Sequence, residues 1–172
     1  EYGIEFKEAR GAGSKKKDEY YQINKIAAKF FFDKLSEGEN PGLTYLYRRG
    51  IDIDTIKKFG IGYAPDAWTE LTDYMTSKGI DKDKLVELGL AAKKQNRYYD
   101  KFRNRVIFPI INASGKVIGF GGRAIKDEDN PKYLNSPESP VFAKKNNLYG
   151  INLAKNEIIN ENRIVLVEGY MD

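Results

Sequence analysis

Neither cysteine nor histidine occurs anywhere in the 172 residues. Without cysteine no disulfide framework is possible, which mildly favours the cytoplasm. Without either residue, a zinc site and any catalytic set built on imidazole or thiol are excluded within this chain. A metal bound here would be a hard ion held by oxygen, such as Mg2+ or Mn2+. Long apolar runs are missing as well: none approaches the roughly 18 residues that span a bilayer. Glu1-Tyr2-Gly3-Ile4-Glu5 has no basic segment leading into an apolar stretch, so it is not a signal peptide. What is present is an ordinary globular mixture, 41% hydrophobic and 31% charged, enough for one good-sized domain or two small ones. Lys and Arg number 29 against 25 Asp and Glu, a formal charge of +4. That mild bias toward polyanions acquires meaning only from where the cations stand.

Residues 1–17 read as a linker, with Gly11-Ala12-Gly13-Ser14 leading into Lys15-Lys16-Lys17. A helix is expected from about Asp18 to Glu37, because Ile23, Ala27, Phe30, Phe31 and Leu35 form one apolar stripe. A short helix follows, capped by Asn40, opened by Pro41 and closed by Gly50, with Leu43, Leu46 and Tyr47 facing inward. Two or three more are expected, near Ile53–Phe59, Trp68–Lys78 and Asp81–Leu88, each closed by a glycine. The pattern then changes. Arg97 to Asn112 reads as strand, Asn112-Ala113-Ser114-Gly115 as a turn, and Lys116 to Phe120 as the returning strand of a hairpin. Ala124 to Pro140 reads as an ordered loop with three prolines, and Ile151 to Ile159 as a helix. Arg163 to Val167 has the fully apolar character of a strand inside a parallel sheet. The fold class expected is α+β: a helical N-terminal portion, then a small, mostly antiparallel sheet, then one strand of a different, α/β kind.

If Lys101 to Ile110 is one strand, Lys101, Arg103 and Arg105 share a face and Phe102, Val106, Phe108 and Ile110 share the other, with Asn104 the polar exception. The basic face is then a solvated outer face, a set of cations paired with Asp and Glu elsewhere, or a row of phosphate contacts. Gly119-Phe120-Gly121-Gly122 lacks the spacing of a dinucleotide fingerprint and suits a hairpin end. Pro131-Lys132-Tyr133-Leu134-Asn135-Ser136-Pro137-Glu138 is either a rigid connector or a binding loop. Glu168-Gly169-Tyr170-Met171-Asp172 places an acid after a strand, as a metal ligand, a general acid/base or a structural acid.

Four blocks, Lys101 to Pro109, Gly119 to Arg123, Pro131 to Glu138 and Val167 to Asp172, resemble bacterial DnaG-type DNA primases in order. Tyr45-Leu46 with Arg49-Gly50, and Phe59 to Pro65, resemble the same family's helical portion. The resemblance implies a modular enzyme: a zinc-ribbon domain, an RNA polymerase core and a helicase-binding region. The core has a basic subdomain followed by an α/β Toprim domain whose carboxylates bind Mg2+ or Mn2+. On this resemblance, residues 1–17 are a linker from a missing zinc-ribbon domain, which alone would carry zinc. Residues 18–160 are the N-terminal subdomain of the core, and residues 161–172 are the first strand and glutamate motif of Toprim. Arg49, Arg123 and Lys132 then correspond to a cluster lining a groove for single-stranded DNA template, and Lys101, Arg103 and Arg105 to a basic motif near the active site. Lys144 corresponds to a lysine beside the ribonucleoside triphosphate or RNA primer, and Glu168 to the Toprim glutamate, catalytic and metal-binding. The fragment alone is expected to be inactive, and the replicative helicase to be met through a region outside it. Its place is expected to be the cytoplasm, at the nucleoid, with no membrane contact. The competing readings are a single-strand-binding module without catalysis, or another Toprim enzyme.

Overall fold

The computed structural model describes residues 12–126 and 128–172. Helix α1 runs Ala12–Ser36, and its stripe of Tyr20, Ile23, Ala27, Phe30, Phe31 and Leu35 is buried. It starts six residues before the expected Asp18. Lysine is a good helix former, and Lys16 lies 3.6 Å from Glu87 and over the ring of Tyr20, so residues 12–17 are helix rather than linker. The rest of the expected linker, residues 1–11, falls outside the described residues.

Four short helices follow: α2 Pro41–Arg48, α3 Ile53–Phe59, α4 Glu70–Ser77 and α5 Lys82–Glu87. The side chains of Asn40 and Asp52 accept the Leu43 and Thr55 N–H groups at the starts of α2 and α3, satisfying donors that a helix leaves open. Helix α4 is capped from a distance instead. The buried carboxylate of Asp100 accepts the N–H groups of Leu71 and Thr72 and the Thr72 hydroxyl at 2.6–2.9 Å. Leu46 is buried as expected, but Tyr47 is exposed. The following residues, Arg48 and Arg49, are exposed too, so the apolar stripe of α2 is narrower than the spacing implied.

A four-stranded antiparallel sheet has the order β1-β4-β5-β6, from β1 Gly62–Ala64, β4 Arg105–Ile111, β5 Val117–Ala124 and β6 Tyr133–Asn135. A separate hairpin pairs β2 Ala91–Lys94 with β3 Arg97–Asp100. It turns on Gln95 and Asn96, both at positive φ, as a two-residue hairpin loop requires. The expected strand Arg97–Asn112 is therefore two strands in two sheets. The break at 101–104 is enforced by Asn104 at φ +48, whose N–H reaches Pro65 O. The turn at 112–115 is present, its N–H groups gathered on the Asn112 side chain. The glycines at 119–122 do not end β5: the strand passes through them, and they admit neighbours. The loop expected over 124–140 contains β6.

Strand β4 is buried on both faces, with Ile107 packed in a core under α1 and Val106 and Phe108 in another with α2 and α3. That explains its unbroken apolar run. Helix α6 spans Ile151–Glu161, with Arg163–Val167 after it. That last segment is not a strand. An extended chain satisfies its backbone by pairing, and among the described residues nothing pairs with it. Ile164 to Val167 are exposed, Val165 at 79%. The α+β class holds, without its final expected strand. No helix among the described residues is long and apolar enough to cross a membrane.

Candidate nucleic-acid interface

Residues paired across β4 and β5 share a face of the sheet, Val106 with Arg123 and Phe108 with Gly121. Arg105, one residue off Val106, therefore sits on the opposite face from Arg123. Both guanidiniums are buried, each residue 6% exposed, and both grip the same loop. Arg105 donates to Pro131 O at 2.7 Å, and Arg123 to Lys132 O at 3.5 Å. Consecutive carbonyls are thus held from the two faces. The Pro131–Glu138 segment is in this way fixed over the sheet, with Lys132 exposed.

Around Arg123 the surface is aromatic. Its guanidinium carbon lies 5.0 Å from the Tyr133 ring and 5.8 Å from that of Tyr45, and its Nε is buried with no hydrogen-bond partner among the described residues. Arg49, exposed at the C-cap of α2, stands one turn beyond Tyr45. Arg49 and Arg123 thus approach each other through Tyr45, while Lys132, one residue before the Tyr133 that pairs with Arg123, falls on the other face of the sheet, the face of Arg105.

Lys101, Arg103 and Arg105 also come together, although not by strand alternation. They line an open, polar cleft of about 430 Å³ with Asp66, Trp68, Lys126 and Asp129 among its walls. Arg103 donates to Asp100 O and stacks on Trp68 with its guanidinium carbon 4.2 Å from the ring. Burial pulls the Arg105 guanidinium down from its ordinary range; Arg103 and Arg123 add to that, and Asp129 opposes it. Four cations against two carboxylates leave this cleft attractive to anions.

Farther along the first face, Gly121 lies under the ring of Tyr170, where a Cβ would come within 2.5 Å. Tyr170 stacks on Phe108 at 5.2 Å and donates to Asn135 Oδ1 at 2.8 Å. Residues from all four sequence blocks therefore meet at one contact, which anchors the chain two residues after Glu168. Lys144 lines a small cleft with Asn135 and Tyr170 and is exposed, as is Glu168.

Among the described residues, none of Arg49, Lys101, Arg103, Arg105, Arg123, Lys132 and Lys144 is in an ion pair. Every pair found uses other cations. Pairing of these cations with carboxylates is therefore not seen among the described residues. For a metal ion the fit is poor. The Asp172 carboxylate accepts the Gly169 N–H, and no group of three or more candidate ligands is found among the described residues. Glu168 alone does not make a metal site. Sequence reasoning missed Trp68, taken as the start of a helix, and Tyr45. The signal was an aromatic beside a basic cluster, legible only once the chain is folded.

Residues 30–155 match the family described as DNA primase catalytic core, N-terminal domain. A curated DNA primase of Clostridium acetobutylicum is 48% identical over 157 residues, covering 91% of this chain and 26% of that protein. The chain thus spans about a quarter of the length of the curated relatives it matches. Among solved structures, the RNA polymerase domain of Mycobacterium tuberculosis primase DnaG is 35% identical with a TM-score of 0.84, covering 89% of this chain and 50% of that one. A DnaG primase catalytic domain bound to ssDNA is 36% identical with a TM-score of 0.85, covering 92% and 51%.

Proposed function

Since the chain belongs to the family of DNA primase catalytic core N-terminal domains, we propose that it holds single-stranded DNA template for RNA primer synthesis, as the basic half of a DNA-directed RNA polymerase. The observation that carries this is the cleft that Lys101, Arg103 and Arg105 share, with Arg105 and Arg123 holding the loop that carries the exposed Lys132 and none of these cations in an ion pair among the described residues. Exposed cations outside ion pairs, such as Arg49 and Lys132, keep their donors for phosphates. Pairing with the template supplies sequence, so base contacts are not required of the protein.

In this reading Arg49, Arg123 and Lys132 line the template groove, and Lys144 stands beside the ribonucleoside triphosphate or nascent primer. Glu168, anchored through Tyr170, is the group that catalysis and a divalent ion such as Mg2+ or Mn2+ would use in the whole protein. Positioning and charge neutralisation do most of the work in phosphoryl transfer, and this half supplies both. The resemblance of a solved relative bound to ssDNA supports the choice of ligand.

The test is a titration of the chain with a fluorescent single-stranded oligonucleotide at several salt concentrations. The expected result is binding whose log affinity falls linearly with log salt, at roughly 0.7 per phosphate contacted. Absence of binding at low salt removes the reading.

A further inference from the structure

Trp68 is the one tryptophan of the chain, and it is 66% exposed at the rim of the Lys101–Arg105 cleft. Exposure of a single large side chain is unexceptional; its surroundings are what matter. Arg103 lies over the ring at 4.2 Å and Tyr99 meets it edge-on at 5.9 Å. The ring is therefore braced while most of its surface stays open. Within the same walls stand Lys101, Arg105, Lys126 and the side chain of Asn130. Of the two carboxylates present, Asp129 is engaged by the Asn104 amide at 3.1 Å. Pro131 closes one side of the cleft, and the next residue is the groove lysine Lys132. A strand lying over Lys132 thus needs only to cross that loop to enter the cleft. A flat, braced ring beside cations, at the end of a phosphate track, is the arrangement that binds a nucleotide by stacking its base and neutralising its phosphate.

We propose that this cleft is a nucleotide-binding site in which Trp68 stacks on the base while Lys101 and Arg103 take the adjoining phosphate. The inference rests on the groove reading and extends it around the Pro131–Lys132 loop. The nucleotide is either one residue of a single strand or a free nucleoside triphosphate.

Trp68 emission reports the site directly. Oligothymidine and metal-free ATP are titrated separately against the chain, with anisotropy of a labelled oligonucleotide followed in parallel. The expected result is quenching by oligothymidine at the midpoint given by anisotropy. Quenching by ATP alone assigns the cleft to the free nucleotide, and quenching by both assigns it to either source. Trp68→Ala is expected to weaken strand binding by roughly 5- to 100-fold, the range of base–aromatic stacking, without changing the salt slope. Trp68→Phe should recover most of that loss, and Lys101→Ala should lower the slope by about one. Anisotropy-detected binding with Trp68 emission unchanged by either ligand overturns the inference and leaves the groove standing. No anisotropy change together with no quenching removes both.

Discussion

At the residue scale, two aspartates show how opposite surroundings act on the same group. Asp52 is exposed and receives the Thr55 N–H; that hydrogen bond holds its carboxyl below the ordinary 3.8. A depressed folded value means the ionised form stabilises the folded chain. The stabilisation is present above 3.8 and is lost as pH falls through the folded value. Asp52→Ala is thus expected to lower Tm at neutral pH, with the gap to the parent closing on acidification; a gap constant with pH refutes the assignment. Asp100 is the reverse case. Burial pushes its carboxyl up, and hydrogen bonds from Thr72 and Leu71 oppose that. With a raised folded value, ionisation is disfavoured by folding, and the penalty is relieved as pH drops. The carboxylate nonetheless serves three donors at the start of α4. Asp100→Asn offers one acceptor and adds an NH2 facing N–H groups. We expect a loss of about 2 kcal/mol in urea unfolding, and no loss would show that α4 does not depend on this cap.

At the element scale, the glycines that close helices are not equivalent. Gly79 and Gly89 both sit at positive φ, 78° and 67°. A Cβ on Gly79 meets nothing within 4 Å, whereas one on Gly89 falls 2.2 Å from Pro137. Gly79→Ala is expected to cost only the left-handed penalty, about 1–2 kcal/mol. Gly89→Ala must also displace the segment that carries Lys132 and Asn135, and is expected to cost clearly more. Equal midpoints in denaturant for the two variants would refute the difference. The same logic explains β5. Gly119, Gly121 and Gly122 read as bends in isolation, yet each admits a neighbour: Ser136 and Phe142, Tyr170, and Phe102 with Arg105 respectively. The strand continues through these glycines, with one register irregularity opposite Ile110 and Ile111, because the space over them is filled by other parts of the chain.

At the scale of the whole molecule, the cations divide between exposed and buried, and that division predicts different phenotypes. Lys132 is exposed, so Lys132→Ala should weaken single-strand binding at all sequences and lower the salt slope by about one while leaving stability unchanged. Arg105 is buried and donates to Pro131 O. Arg105→Ala should instead destabilise the fold, by about 1–3 kcal/mol through the unsatisfied carbonyl, along with weakening binding. A Lys132→Ala variant that binds with the parent's slope would take that lysine out of the groove.

The amino-acid sequence by itself determined the helices of the first half, because apolar spacing, caps and closing glycines are local signals. It also marked the family, because the blocks around Lys101, Gly119, Pro131 and Glu168 are contiguous and unusual. Tertiary structure alone decided how those residues meet. Lys101, Arg103 and Arg105 share a cleft through the break at Asn104, not through strand alternation. Arg105 and Arg123 lie on opposite faces and clamp one loop. Arg163–Val167 has strand composition but no ladder, since pairing needs another backbone, and composition cannot supply one. Trp68 joined the site only when α4 began two residues later than its sequence suggested, leaving the ring at the rim of a basic cleft.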